Sequence, residues 1–393
     1  MDRALPMSPR ERVLAVLNGE KPDKLPFVDR LELWHRGLQY TDTLPERFRN
    51  VPLTEIHRRV GMGRLRFLSP YSMRLRGVEV IARFEDKVIW QETDPVVDRF
   101  PDMEHLSPDR PGVVYSEIIT PAGSLTVEHI SVPESLATGA RGYMRKHPIT
   151  GDADYAPVEY ILENLEYVPQ YERLRAAEAE IGDYGFVSPS LLRLPFQQLL
   201  IDYFSTEAFF FALYDSAVAV KRLLDLLDER CIEFVDRLAD LDVPYVQFGD
   251  NLDGMMTNPR LFREHMLPTY HRYIDRLHLQ GKRVGSHTDG HIQPLFALLT
   301  ESGLDVCESI SPTPLTAFTF ADVWHAWREH GPIIWGGIPS PILEPSYSED
   351  EFRTFMADLL DLVGDGPIIL GVCDMVLPVN LIERVEMIAE MLG

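Results

Sequence analysis

Three cysteines in 393 residues, Cys231, Cys307 and Cys373, cannot build a disulfide framework, so this chain must be held together by its core. A basic excess is missing too. There are 38 lysines and arginines against 61 aspartates and glutamates, a formal net charge of −23. With no block of cations to displace counterions, roles built on binding nucleic-acid phosphates are excluded. No apolar run approaches the ~20 residues that a membrane-spanning helix needs. The segment Met1 to Arg12 is charged and has no apolar signal core, so the expected location is cytoplasmic, where thiols stay reduced. Nor does a G-x-G-x-x-G motif follow a first strand, which leaves an open dinucleotide-binding sheet without its fingerprint.

What is present is an ordinary globular composition, 45% apolar and 25% charged, with material for a sizeable core. From about residue 183 onward, short apolar runs alternate with amphipathic segments. Strands are expected at Gly185–Ser188, Tyr245–Phe248, Arg283–Ser286, Val306–Ser309, Ile333–Trp335 and Ile368–Val372. Helices are expected at Asp215–Leu241, Pro259–Leu279, Ile292–Ser302, Phe320–Glu329, Ser348–Leu362 and Asn380–Met391, with Asn258-Pro259 and Ser348 as start signals. Strand–helix alternation implies parallel strands joined by right-handed crossovers. With Leu25–Val28 and a weaker strand near Arg64–Phe67 the count reaches eight. The predicted fold class is therefore α/β, a single (β/α)8 barrel domain over residues 1–393.

Residues 77–130 follow a different period. Val78–Phe84, Lys87–Gln91, Gly112–Ile119 and Leu125–Ile130 alternate in twos, with a turn at Thr120-Pro121-Ala122-Gly123-Ser124. This is antiparallel hairpin chemistry, read as a β-hairpin insertion in the amino-terminal half, close to the barrel mouth.

In such a barrel, polar residues at the carboxyl ends of strands line the site. The segment Gly285-Ser286-His287-Thr288-Asp289-Gly290-His291 puts an imidazole and a carboxylate two residues apart at one strand end. Glu308 closes the next strand, and Cys373 with Asp374 the last. Asp250, Asn251 and Asp253 precede them. Imidazole, carboxylate and thiolate from separate strand ends make a candidate zinc site. Each also has a structural alternative: a hydrogen-bonded histidine, a glutamate paired with arginine, a cysteine used as a small core group. Cys307 faces away from Glu308 and reads as core, Cys231 as buried mid-helix, and His291 as a cap or supporting group. Asp250 and Asp289 are the candidate catalytic carboxylates. Trp34, His35, Tyr71, Arg74 and Asp253 are candidate substrate contacts, with Asp29 and Glu32 beside them; plain packing is the competing role for Trp34, and helix capping that for Asp250 and Asp253.

The residues now in hand resemble the uroporphyrinogen decarboxylase superfamily. Its opening is similar to Ser8-Pro9-Arg10-Glu11-Arg12-Val13-Leu14 through Asn18-Gly19-Glu20-Lys21-Pro22-Asp23-Lys24-Leu25-Pro26. Asp250-Asn251-Leu252-Asp253-Gly254, Leu261–Pro268 and the run around His287 are similar as well, so the resemblance spans essentially the whole chain. The superfamily fold is a single (β/α)8 barrel. Its decarboxylases use an arginine-rich R-Q-A-G-R segment that is absent here; Tyr71-Ser72-Met73-Arg74-Leu75-Arg76 is at most a distant counterpart. Its cobalamin-dependent methyltransferases hold zinc through an H-x-C…C pattern, often with an intervening glutamate.

Carried over by position, His287, Glu308 and Cys373 match, and Asp289 stands where the first cysteine would be. The resemblance thus implies a zinc-dependent methyltransferase moving a methyl group from a small methylated substrate, methoxylated and with aromatic compounds among the candidates, to a corrinoid (cobalamin) cofactor. The carboxylate at 289 hardens the ligand set and favours an oxygen-linked substrate over a thiol. No D-x-H-x-x-G corrinoid motif occurs, so the corrinoid is expected on a partner protein or bound only transiently, with free and protein-bound cobalamin both open. Two rivals stay open: a metal-independent decarboxylase of another carboxylic acid, and a non-catalytic binding barrel. Oligomeric state is open too.

Overall fold

The computed structural model describes residues 6–103, 106–373 and 375–393. The chain divides into two compact units, one of 1–68, 174–190 and 242–393, the other of 69–173 and 191–241. In chain order the strands are β1 (Val28–Asp29), β2 (Gly63–Leu68), β3 (Tyr71–Leu75), β4 (Glu79–Phe84), β5 (Lys87–Thr93), β6 (Val96–Val97), β7 (Gly112–Thr120) and β8 (Gly123–Ser131). They continue with β9 (Tyr143–Lys146), β10 (Leu165–Pro169), β11 (Gly185–Leu191), β12 (Tyr245–Phe248), β13 (Arg283–His287), β14 (Val306–Ile310), β15 (Ile333–Pro339) and β16 (Ile368–Cys373).

The first unit is the barrel. Its parallel sheet runs β1-β2-β11-β12-β13-β14-β15-β16. It turns back on itself where Phe27 bridges Leu370 and the Leu370 amide donates to the Pro26 carbonyl at 2.9 Å. Each expected barrel strand is found within a few residues of its predicted ends. Side chains two apart on a strand share a face, so one inward residue per strand should form a layer. Seven do: Val28, Leu65, Phe186, Tyr245, Val306, Trp335 and Ile369 are one buried cluster. The eighth position, Gly285, leaves room for Tyr245, whose Oη occupies the space a Cβ there would take. Trp335 Nε1 donates to the Val28 carbonyl at 2.9 Å and ties β15 to β1 across this layer.

The second unit holds a five-stranded antiparallel sheet, β5-β4-β7-β8-β9, and a three-stranded sheet, β10-β3-β6. The antiparallel strands expected in 77–130 are present as β4, β5, β7 and β8. Alternate residues are buried on β4 and β7, in keeping with a sheet that has one packed face. The unit holding them reaches further, and includes helices Tyr155–Glu163, Thr206–Asp215 and Ala217–Arg237. Among the described residues no helix is long and apolar enough to cross a membrane.

Candidate functional site

Two residues beyond the apolar layer, toward the carboxyl ends of the strands, the barrel interior becomes polar. Gln247 follows Tyr245, His287 follows Gly285, and Glu308 follows Val306. Parallel register sets them side by side, with Gln247 opposite Gly285 and His287 opposite Glu308. His287 Nδ1 is 2.5 Å from Glu308 Oε2, and Nε2 is 3.5 Å from Asp289 Oδ2. Gln247 is fixed from below. Tyr245 Oη donates to Gln247 Oε1 at 2.6 Å, which turns the amide Nε2 toward Glu308 Oε2 at 2.8 Å. Arg30 lies 3.6 Å from Glu308 Oε1 and 5.1 Å over the Phe67 ring. Asn251 Nδ2 donates to Asp289 at 3.3 Å.

These contacts set the charges. Burial alone would hold His287 down, but Glu308 and Asp289 override it and keep the imidazole well above its ordinary value. Burial pushes Glu308 up, and His287, Arg30 and Gln247 pull it below the usual carboxylate range. Asp289 is lowered in the same way by His287 and Asn251. Asp29 goes the other way: burial outweighs Arg30, Glu308 adds to it, and the carboxyl is pushed up to about 8. Its oxygens accept from the Arg30 amide at 2.7 Å and the Val372 amide at 2.5 Å. Gly371 makes room for it, since a Cβ there would stand 2.8 Å from Asp29 Oδ2. The site thus combines an imidazolium, a guanidinium, two carboxylates and a protonated carboxyl, a set suited to charge stabilisation and proton transfer.

Zinc fits this arrangement poorly. His287 and Glu308 are brought together, but Cys373 Sγ donates to the Ile310 carbonyl at 2.6 Å and accepts from the Gly337 amide at 3.0 Å. Among the described residues no group of three or more His, Cys, Asp or Glu side chains stands ready to hold a metal ion. The local backbone is the cause. A register shift between Glu308 and Ile310, with Ser309 at φ 65°, and positive φ at Gly336 and Gly337 bring backbone groups onto the thiol. Asp374 lies outside the described residues.

The other expected site residues are placed as follows. Trp34 is 1% exposed, and its ring packs edge-on against Phe48 at 5.7 Å, the packing role. His35 is half-buried on helix Glu32–Tyr40, and burial lowers its basicity. Tyr71 is in the second unit and buried, its hydroxyl bonded to Tyr171 Oη at 2.5 Å and the Arg237 carbonyl at 2.7 Å. Arg74 is on β3 opposite Glu166. Asp250 is fully buried, accepting from Tyr270 Oη at 2.6 Å and Ser286 Oγ at 3.0 Å, so it braces β12 against β13 and away from solvent. Asp253 accepts from the amides of Met255 and His291, while the cap of the helix at Pro259 is Asn258. Cys231 and Cys307 are buried, as read. Sequence reasoning missed Arg30 and Gln247. Both carried a signal: Arg30 follows directly on the first strand, and Gln247 is a polar residue on the inward face of an apolar one.

Residues 204–319 match the family model for uroporphyrinogen decarboxylase (URO-D). No curated protein matches the chain. Among solved structures, a methyltransferase from Methanosarcina mazei is similar at 13% identity, with a TM-score of 0.55 over 98% of this chain and 99% of that one. A ribulose-1,5-bisphosphate carboxylase/oxygenase from Pyrococcus horikoshii aligns over 55% of this chain and 41% of its own, at 11% identity and a TM-score of 0.28. The family match thus covers residues 204–319, and nearly the whole chain shares a fold with the Methanosarcina mazei methyltransferase.

Proposed function

We propose that this chain is a methyltransferase of the uroporphyrinogen decarboxylase superfamily that demethylates a small methoxylated compound, passing the methyl group to a corrinoid carried by a partner protein. The whole-length likeness to the Methanosarcina mazei methyltransferase supports the class. The observation that carries the reaction type is His287, held as a cation between Glu308 and Asp289 at the carboxyl ends of the strands. A methyl ether is slow to react because its leaving oxygen departs with negative charge. His287 would bind that oxygen and supply its proton, a contribution of about 10²–10⁴-fold. Glu308, fixed by Gln247, keeps the imidazole charged and oriented. Zinc would instead act as a Lewis acid at the same oxygen; given the engagement of Cys373, no step is assigned to it.

Incubation with reduced cobalamin and panels of methoxylated, N-methylated and S-methylated compounds tests this reading. Methylcobalamin is expected with the methoxylated panel, and with strongly reduced yield in His287→Gln. No methylcobalamin from any panel sinks the proposal. Metal analysis belongs beside it: stoichiometric zinc in native protein, lost in both His287→Ala and Cys373→Ala, would return the Lewis-acid role to a metal. One observation favours a second reading. Arg30, a guanidinium at the polar end of the barrel, is suited to clamping a carboxylate, as a metal-independent decarboxylase requires. That reading predicts chelator-insensitive release of carbon dioxide.

A further inference from the structure

The site around His287 lies at the carboxyl ends of the barrel strands. At their amino-terminal ends, within the same unit, is a cavity of about 360 Å³, a volume in the range of small-molecule sites. Leu25 and Phe27 line it just ahead of β1, Tyr184 just ahead of β11, and Leu392 just past the helix Ile382–Met391. Two cations, Arg12 and Lys24, complete the polar part of the wall. The chain carries a net charge of −23, yet no aspartate or glutamate lines this cavity.

The two cations are only partly matched. Arg12 donates from Nε and Nη2 to the two oxygens of Asp23 at 2.6 and 3.0 Å, and among the described residues its Nη1 makes no hydrogen bond. Lys24 Nζ donates to a main-chain oxygen of Gly393, which uses one of the three donors of an ammonium. One acidic side chain therefore answers two cations, and the Arg12 side chain is only 11% exposed to water. Burial, and after it the charge of Arg12, holds Lys24 below its ordinary basicity, with Asp23 opposing. An incoming carboxylate would take the remaining donors and bring the anion that this pair lacks. A single negative charge balances the set, whereas a second would be repelled by Asp23. Chemistry in this fold belongs to the carboxyl ends of the strands, so a ligand here is not the reacting substrate.

We propose that the cavity at the amino-terminal end of the barrel binds a small monocarboxylate, with its head between Arg12 and Lys24 and its apolar body against Leu25, Phe27 and Leu392.

Isothermal titration calorimetry of the full chain with octanoate and 1-octanol tests the proposal. Octanoate is expected to bind, and 1-octanol, with the same apolar body and no charge, to bind about tenfold more weakly, the cost of losing a charge-assisted hydrogen bond. Lys24→Gln should weaken octanoate by a similar factor and leave 1-octanol unchanged, while Lys24→Arg should keep octanoate bound. Arg12→Gln should act in the same direction; because Arg12 also holds Asp23 and its loss can unsettle the fold, Lys24→Gln is the deciding variant. Arg30→Gln, at the other end of the barrel, should change nothing, which separates this cavity from the site around His287. No octanoate binding through the millimolar range overturns the proposal. So does equal binding of acid and alcohol, octanoate binding unaltered by Lys24→Gln, or binding that is lost in Arg30→Gln.

Discussion

The charge on His287 is borrowed from its neighbours, and two substitutions separate the lenders. Burial opposes the imidazolium, and Glu308 is the largest influence in its favour. Glu308→Gln keeps the shape but removes the charge, so the His287 titration, followed by NMR of the ring, should move toward lower pH. Under the proposed function, turnover should fall with it. Asp29 gives a stability signature of the opposite kind. In the folded chain its carboxyl keeps a proton up to about pH 8, whereas unfolded it loses that proton near pH ~4. Between these values the folded state binds the extra proton, so stability falls as the pH rises and levels off above about 8. Asp29→Asn should shift the whole curve by losing one backbone acceptor, yet flatten its slope across that window. Urea titrations at several pH values decide this; an unchanged slope would mean that Asp29 ionises normally in the fold.

At the scale of elements, one indole adds to the backbone bridge that closes the barrel. Trp335→Phe keeps most of the ring in the apolar layer but leaves the Val28 carbonyl without its donor. A buried acceptor left unsatisfied costs about 1–3 kcal/mol, and Trp335→Ala should cost about 3–5 kcal/mol through the cavity as well. Both are measured by denaturant unfolding; equal losses would mean that packing alone closes the sheet. The same layer shows what the sequence could reveal. On β12, β13 and β14 the inward face follows strict alternation, so Tyr245 points to Gln247, Gly285 to His287, and Val306 to Glu308. The pairing of His287 with Glu308 was legible for that reason. Cys373 was not, because its surroundings are set by the bulge at Ser309 and by two glycines at positive φ, which decouple side-chain direction from parity. Trp34 stayed between two readings for a simpler reason. The helix that begins at Glu32 turns it toward Phe48, and nothing in a single sequence tells a packed tryptophan from a rim tryptophan.

For the molecule as a whole, the charge balance is the feature that no local contact removes. Were each of the 38 lysines and arginines paired with a carboxylate, 23 of the 61 acidic residues would still lack a cation. Visible pairs such as Arg47 with Glu383 and Glu386, or Arg222 with Glu159 and Glu163, are largely exposed. Each such pair contributes about 0–1 kcal/mol, an amount that salt weakens. Excess like charge is held closer together in the folded chain than in the unfolded one, so self-repulsion opposes folding. Salt therefore acts on two opposed effects, and the excess decides the sign. Raising ionic strength shortens the screening length to ~8 Å at 0.15 M, and the melting temperature at neutral pH should rise with it. Near pH 4.9, where the net charge vanishes, the rise should disappear or reverse. Differential scanning calorimetry at both pH values makes the comparison. A melting temperature that falls with salt at neutral pH would show that the ion pairs, not the uncompensated carboxylates, govern the stability of this chain.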